Sequence, residues 1–252
     1  MILEVDQGNT RTKWRIKQSE VVIRQGATSA CLKGMSELES FLKAAGEATP
    51  IKLACISSVA NEDKKKLLAS VLSKWCKEIK FVSTQKKYRD LKNGYSHPES
   101  LGVDRWLAMI AAFKAGCGKP CLVVDAGTAI TVDLIADEGC HQGGYIGPGL
   151  SMMSSSLNTV TASAQTNSLV DDLKGVPGRS TDDAIKEACS EMALGLVLKS
   201  LEYLRAFSGP NVGIFITGGD GVFLSRVISD ATYSKDLVLD GISALREDGL
   251  LF

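Results

Sequence analysis

Two short segments of the chain combine a carboxylate, a glycine and a small polar side chain in the same order. DQGNT (residues 6–10) follows the apolar run ILEV, and DAGTA (residues 125–129) follows the run CLVV. The two aspartates lie 119 residues apart, and in each copy a glycine comes two residues later and strand-like sequence follows. One such turn is common, but two at equivalent places predict a duplicated β-hairpin and hence two similar lobes.

The residue types of these hairpins suit phosphate. A glycine in a tight turn exposes backbone N–H groups, because it has no Cβ to keep a ligand away. An aspartate beside the turn repels a bare phosphate, so it favours a site in which a divalent cation lies between them, and Mg²⁺ is typically held by one or two carboxylates plus substrate phosphates. Two such hairpins that face each other across a cleft would bind a nucleoside triphosphate. The alternative is that both are structural turns with aspartate as a turn former.

A third glycine-rich segment, ITGGDG (residues 216–221), ends another apolar run. Its glycines would let a base or ribose approach the backbone, although paired glycines at a strand end are also typical of a turn. No phosphate-binding GxxxxGKS or GxxxxGKT sequence occurs, and GGYIGPG fits the GxGxxG dinucleotide pattern poorly. The three segments therefore indicate a nucleotide site of another kind.

The elements that must position these residues alternate between strands and helices. The first 27 residues indicate three strands, and residues 36–46 indicate a helix with Ser36 and Glu39 as a capping box. EDKKKLLASVLSKWC predicts an amphipathic helix on which Lys64, Lys65 and Lys66 form a solvated face. The loop KNGYSHPESLGVDR leads into the buried helix RWLAMIAAFKAG, and the second half begins again with strands. This order predicts an α/β protein with lobes at residues 1–118 and 119–252.

Composition narrows the class of protein. The 252 residues carry a formal net charge of zero, with 44% hydrophobic and 23% charged residues, which is typical of a soluble globular chain and argues against nucleic-acid or membrane partners. Seven cysteines without a CxxC pair make a zinc site unexpected and favour buried reduced thiols. With no signal-like leader and no apolar run of about 20 residues, we expect a cytoplasmic protein.

Taken together, the motifs resemble the actin, sugar kinase and Hsp70 superfamily of ATPases. Within it, DQGNT, NGYSHPESLGVDRW, VVDAGTAITVDLI, GGYIGPGLSMM and ITGGDG resemble type III pantothenate kinase in content and order, over nearly the whole chain. The resemblance implies two ribonuclease H-like lobes with a nucleotide cleft between them. It also implies ATP-dependent phosphorylation of pantothenate to 4′-phosphopantothenate, the first step of coenzyme A biosynthesis, by a homodimer that uses Mg²⁺ and a monovalent cation, K⁺ or NH₄⁺.

Site residues follow from the same resemblance. Asp104 would be the general base, Asp6 would hold Mg²⁺ and Asp125 the monovalent cation. The implied ATP-binding residues are Asp6, Gln7, Gly8, Asn9, Thr10, Arg11, Thr12, Lys13, Thr128, Gly218 and Gly219. The implied pantothenate-binding residues are Tyr95, Gly102, Val103, Asp104, Arg105 and Thr181, the last from the partner subunit.

Several readings stay open at this level. Asp104 and Arg105 also fit a helix start with a capping aspartate and a surface arginine. Lys13 also fits an exposed strand lysine, and the partner of Arg105 is either the pantothenate carboxylate or the transferred phosphate. His97 and His141 are expected to be structural. The alternative functions are a non-catalytic nucleotide-binding regulatory protein on the same fold and a kinase for another small hydroxy acid.

Overall fold

The computed structural model describes residues 1–46, 49–158 and 175–250, and the chain divides into two compact units. The first comprises Met1–Lys86, Tyr95–Ala111 and the segment that begins at Leu237. The second comprises Lys87–Gly94 and Ala112–Asp236. Among the helices of the described ranges, none is long and apolar enough to cross a membrane.

The strands and helices are given in chain order. The strands are β1 (Ile2–Gln7), β2 (Arg11–Gln18), β3 (Val21–Ser29), β4 (Ile51–Ser58), β5 (Cys76–Phe81), β6 (Lys87–Tyr88), β7 (Leu91–Lys92), β8 (Cys121–Ala126), β9 (Ala129–Ile135), β10 (His141–Pro148), β11 (Gly213–Thr217) and β12 (Ala231–Tyr233). The helices are α1 (Leu32–Gly46), α2 (Glu62–Leu72), α3 (Val103–Ala115), α4 (Leu150–Asn158), α5 (Thr181–Ser208), α6 (Gly221–Val227) and α7 (Leu237–Glu247). Short 3₁₀ turns lie at Pro98–Ser100 and Asp137–Gly139.

Both units are built on a sheet with the same strand order. The first sheet runs β3-β2-β1-β4-β5 and the second β10-β9-β8-β11-β12. In each sheet the first three strands of this order pair antiparallel. The last three strands, which include the central one, pair parallel. The parallel strands are joined through helices, as the longer crossover connection requires. The predicted duplicated α/β fold is confirmed.

Alternation along β1 separates an apolar face from a polar one. Leu3 and Val5 point into the apolar core of the first unit, where they lie with residues of α1 and α2. Glu4 and Asp6 leave the opposite face, because neighbouring strand residues point to opposite sides. This alternation places the carboxylate of Asp6 outside the core. In the second unit the corresponding core lies between β8, β9, β11 and α5.

Helix α7 belongs to the first unit, although the predicted boundary between residues 118 and 119 placed it in the second lobe. The helix packs on β1 and β4. Its Ser243 hydroxyl donates to the fully buried Glu4 carboxylate at 2.6 Å, and Arg15 bonds Asp240 at 2.7 Å. Buried charges need such partners, so the polar face of the first sheet keeps the C-terminal helix. The five strands of each sheet lie within one unit, whereas β6 and β7, which precede residue 118, lie in the second unit.

Two local predictions were wrong. Helix α1 begins at Leu32, and Ser36 lies in its second turn, where its hydroxyl donates to the Leu32 carbonyl oxygen at 3.2 Å instead of capping the start. The cysteines are free, but they are not all buried, because Cys31 and Cys117 are exposed.

Candidate active site

The first hairpin turns tightly at its glycine. The Gly8 N–H donates to the Arg11 carbonyl oxygen at 3.0 Å, and a Cβ at position 8 would lie 3.2 Å from that oxygen. Asp6 lies opposite Lys13 in the antiparallel register, so both side chains leave the same face of the sheet beside the turn. Residues 9–11 are exposed. The hairpin thus presents a carboxylate, a lysine and an accessible turn together.

Gln7 and Thr12 face the other way. They lie opposite each other in the register, and both are almost fully buried. The Gln7 amide donates to the Lys64 carbonyl oxygen at 3.0 Å and accepts from the Ser58 hydroxyl at 2.8 Å. The prediction of a continuous ATP-binding run from residue 6 to residue 13 overlooked strand alternation. The side chains of Gln7 and Thr12 support the hairpin from its buried side.

The second hairpin repeats the arrangement with a loop one residue shorter. The Gly127 N–H donates to the Ala129 carbonyl oxygen at 3.0 Å, two residues on instead of three. Asp125 is the penultimate residue of β8, and Thr128 at the tip is exposed. The Gly149 N–H donates to the Thr128 carbonyl oxygen at 3.0 Å. A Cβ on Gly149 would lie 2.1 Å from a backbone oxygen of the turn, so the glycine loop before α4 is packed directly on this hairpin.

The glycine-rich end of β11 lies beside Asp125. Gly218 has a φ of +91°, and a Cβ there would lie 2.1 Å from the Ala126 carbonyl oxygen and 2.6 Å from Asp125 Oδ1. The following Asp220 N–H donates to the same Ala126 oxygen at 2.9 Å. The Tyr233 hydroxyl donates to the Gly218 carbonyl oxygen at 3.1 Å. Glycine is required at position 218 by both its conformation and its space. The structure therefore brings Asp125, Gly218 and the second turn together.

Burial changes the acidity of two groups at this place. Burial raises the pKa of the Asp220 carboxyl, although a hydrogen bond from the Leu150 backbone partly opposes this. Burial also raises the pKa of Tyr233, and the charges of Asp236 and Asp125 raise it further. The Tyr233 hydroxyl therefore keeps its proton at neutral pH and acts as a donor.

The start of α3 carries a partly exposed aspartate followed directly by a buried arginine. Asp104 is partly exposed in the first turn, and its Oδ1 accepts the Arg105 backbone N–H at 2.8 Å. Arg105 is 6% exposed, so the alternative of a surface arginine is wrong. Its Nη1 donates to the Tyr95 hydroxyl at 2.8 Å, and its Cζ lies 5.6 Å from the centroid of the Tyr95 ring. A Cβ on Gly102 would lie 2.6 Å from Asp104 Oδ1.

A family model described as type III pantothenate kinase matches residues 2–202. The chain belongs to the type III pantothenate kinase family. A curated relative of that name from Pseudomonas fluorescens (strain Pf0-1) is 35% identical over 249 residues, which cover 96% of this chain and 98% of the relative. Another, from Cellvibrio japonicus (strain Ueda107), is 34% identical over 96% of this chain and 95% of its own length.

Solved structures share the fold of this family member. A Campylobacter jejuni protein described as a Baf family transcriptional activator has a TM-score of 0.64 and 21% identity, with 98% of each chain covered. A Sinorhizobium meliloti protein described as a 2-dehydro-3-deoxygalactonokinase has a TM-score of 0.60 and 14% identity, with 98% of this chain and 99% of that chain covered. At these identities the likeness concerns the fold alone. It is the actin-like ATPase and sugar kinase fold that the sequence resembles.

Each of the two hairpins in this type III pantothenate kinase family member carries a single aspartate that is a candidate cation ligand. In the residues that the structure describes, no group of three or more histidine, cysteine, aspartate or glutamate side chains could hold a metal ion. Mg²⁺ in nucleotide sites needs one or two carboxylates, because phosphate oxygens and water complete its shell. Asp6, partly exposed beside its turn, fits that requirement. Asp125 has the equivalent position on the second hairpin and is also partly exposed, and its Oδ1 lies 2.6 Å from where a Cβ on Gly218 would be.

Sequence reasoning missed one contact of the first hairpin. Lys64 is partly exposed, and its Nζ donates to the Asn9 carbonyl oxygen at 2.7 Å, a contact that the expected solvated face did not include. Its neighbours Lys65 and Lys66 have the same residue type, so composition gave no signal.

Thr181 lies exposed at the start of α5, where the cap Ser180 accepts the Asp183 N–H at 3.1 Å. His141 is buried with its Nε2 3.0 Å from Asp133, in keeping with the structural role expected.

Proposed function

We propose that the chain transfers the γ-phosphoryl group of ATP to the terminal hydroxyl of pantothenate. The product is 4′-phosphopantothenate, and the reaction begins coenzyme A biosynthesis. Family membership supports the substrates, and one observation carries the chemistry. At the start of α3 the partly exposed Asp104 is followed directly by Arg105, a buried arginine whose guanidinium bonds Tyr95.

Asp104 is the general base in this proposal. Phosphoryl transfer depends mainly on positioning and on charge neutralisation, and the attacking hydroxyl loses its proton late in the step. The backbone N–H of Arg105 orients the Asp104 carboxylate, whose oxygen then accepts that proton. The Arg105 side chain stays charged at every relevant pH and binds the pantothenate carboxylate. Tyr95 fixes the guanidinium by a hydrogen bond and by its ring, so that its donors are oriented before substrate arrives.

The two hairpins and the end of β11 bind the nucleotide. Gly8, Asn9 and Lys13 contact the phosphates, and Thr128, Gly218 and Gly219 also contact ATP. Asp6 would hold Mg²⁺ and Asp125 would hold K⁺ or NH₄⁺, and the chemistry that these cations would supply is neutralisation of charge on the phosphate oxygens.

An exposed apolar surface on α5 supports a homodimer. Met192, Tyr203 and Phe207 are between 49% and 59% exposed, and the rings of Tyr203 and Phe207 pack edge to face with centroids 4.7 Å apart. Exposed apolar patches of this kind favour protein interfaces. The dimer would bring Thr181 of one subunit to the pantothenate of the other. The proposed setting is the cytoplasm, without a nucleic-acid or membrane partner, in line with the zero net charge.

The test is ADP release coupled to pantothenate consumption, with Mg²⁺ and with or without K⁺ or NH₄⁺. We expect Asp104→Asn to lose roughly 10²–10⁴-fold in kcat while it still binds ATP, which is the usual range for a general base. Asp230→Asn is the matched control, because Asp230 is exposed at a φ of +64° that asparagine also tolerates. Nucleotide binding without turnover would instead indicate the regulatory alternative, and turnover of other hydroxy acids in a substrate panel would change the acceptor. Near-native turnover of Asp104→Asn would exclude Asp104 as the base.

A further inference from the structure

Lys64, the first lysine of the basic run at residues 64–66, is hydrogen-bonded to the first phosphate hairpin. Its Nζ donates to the Asn9 carbonyl oxygen at 2.7 Å, and its own carbonyl oxygen accepts from the Gln7 side chain at 3.0 Å. Helix α2 and the hairpin are therefore linked at two points on either side of Gly8. We propose that Lys64 is a positioning residue of the ATP site, which holds the turn of residues 8–10 in the conformation that binds phosphate. The inference rests on the proposed function of this hairpin.

The contact fixes the orientation of one peptide group in the turn. A trans peptide carries its carbonyl and its N–H on opposite sides. Because Lys64 holds the Asn9 oxygen toward α2, the N–H of Thr10 is directed away from that helix. The Gly8 N–H is already bonded to the Arg11 carbonyl oxygen. With both peptides fixed, the turn keeps one arrangement of its backbone dipoles, and a preorganised set of donors binds an anion without a cost of reordering.

Further hydrogen bonds on the buried side of the sheet stabilise the contact between α2 and the first hairpin. Gln7, which is 1% exposed, also accepts from the Ser58 hydroxyl at 2.8 Å, and Ser58 in turn accepts the Ala60 N–H at 3.3 Å. These bonds join the ends of β1 and β4 to the segment before α2. Helix α2 is therefore held in place, and Lys64 contacts the turn from a fixed support.

The position of Lys64 is unfavourable for the helix alone. It lies in the first turn of α2, where the partial positive charge of a helix N-terminus favours acidic residues, as Glu62 and Asp63 illustrate. Its neighbours behave differently: Lys65 pairs with Glu62 at 3.0 Å, and Lys66 is exposed. A hydrogen bond from a charged donor is roughly twice as strong as a neutral one. The contact with Asn9 is thus the interaction that compensates the unfavourable placement.

The experiment compares Lys64→Met with Lys66→Met in the full chain. Methionine keeps the apolar stem and removes the ammonium group. Calorimetric titration would measure the Kd for ADP and for adenosine, and steady-state kinetics would measure the KM for ATP and for pantothenate. For Lys64→Met we expect ADP binding and the ATP KM to weaken about tenfold, the low end for a hydrogen bond to a charged group, with adenosine binding and the pantothenate KM unchanged. For Lys66→Met we expect all four values to stay within about twofold, and Lys64→Arg should restore part of the loss.

Equal ADP binding by the two methionine variants would overturn the proposal. Equal weakening of ADP and adenosine, together with a lower Tm for Lys64→Met, would mean that Lys64 only stabilises the fold, and this would overturn it too. If the wild-type chain binds ADP with the expected Lys64 dependence but does not phosphorylate pantothenate, the proposed function fails and the role of Lys64 at the phosphate turn stands.

Discussion

Replacing Tyr95 with phenylalanine removes one oxygen atom from the surroundings of Arg105. That oxygen accepts from Nη1 at 2.8 Å, whereas the ring, 5.6 Å from Cζ, would remain for the cation–π contact. Hydrogen bonds to charged groups contribute roughly 1.5–3 kcal/mol. Because Tyr95 is only partly buried, we take the low end, about 1.5 kcal/mol, which corresponds to about a tenfold lower kcat/KM for pantothenate.

A double-mutant cycle separates the action through Arg105 from a direct contact of Tyr95 with substrate. The cycle comprises Tyr95→Phe, Arg105→Met and the double variant, with kcat/KM measured for each substrate. If the hydroxyl acts by orienting the guanidinium, its loss should cost little once Arg105 is methionine, and the coupling should approach about 1.5 kcal/mol. The ATP KM should not change in Tyr95→Phe, because the proposed role concerns pantothenate.

Tyr145→Phe is the matched control, since Tyr145 is 47% exposed on β10 and its substitution should leave kinetics unchanged. Identical kinetics of the two phenylalanine variants would refute the orienting role of the hydroxyl. Strictly additive losses in the cycle would refute it as well, because they would mean that Tyr95 and Arg105 act independently.

Two further predictions concern the first unit. Gly241→Ala would place a Cβ 2.1 Å from the Leu107 carbonyl oxygen, where real contacts stay above 3.0 Å, so α3 must shift by about 1 Å and kcat should fall by up to about 10²-fold. Steady-state kinetics check this, and an unchanged kcat with a lower Tm would show that the helix position does not matter for catalysis. The hydrogen bond from Arg246 lowers the pKa of Glu20 to about 2, so its contribution is present above the unfolded pKa of about 4.3 and is lost as the pH falls toward 2. In urea denaturation, Glu20→Gln should therefore be less stable at pH 7 by under about 1 kcal/mol, because Glu20 is half exposed, and a difference that did not shrink between pH 4.5 and pH 3 would contradict this assignment.

Local patterns were sufficient to predict the hairpins and their duplication. The period of 119 residues corresponds to β1 and β8, which begin at Ile2 and Cys121 and end at Gln7 and Ala126. A tight turn between antiparallel strands demands glycine within a few residues, so its signal is short-range. Strand alternation was also readable, and applying it to residues 6–13 would have separated Asp6 and Lys13 from Gln7 and Thr12. Helix starts were less certain, because Ser36 satisfied a capping pattern inside the second turn of α1.

The sequence by itself determined the order of the candidate site motifs along the chain. Two glycine turns each follow a carboxylate, and GVDRW lies between them. Tertiary structure alone decided which charged residues are in water and which are bonded. Lys64 contacts a residue 55 positions away, Arg15 bonds Asp240 across 225 positions, and Ser243 bonds Glu4 across 239. The type of a charged residue does not reveal from the sequence whether its side chain is exposed or buried. Their environment depends on which distant element covers them, and that is settled only when the whole unit packs.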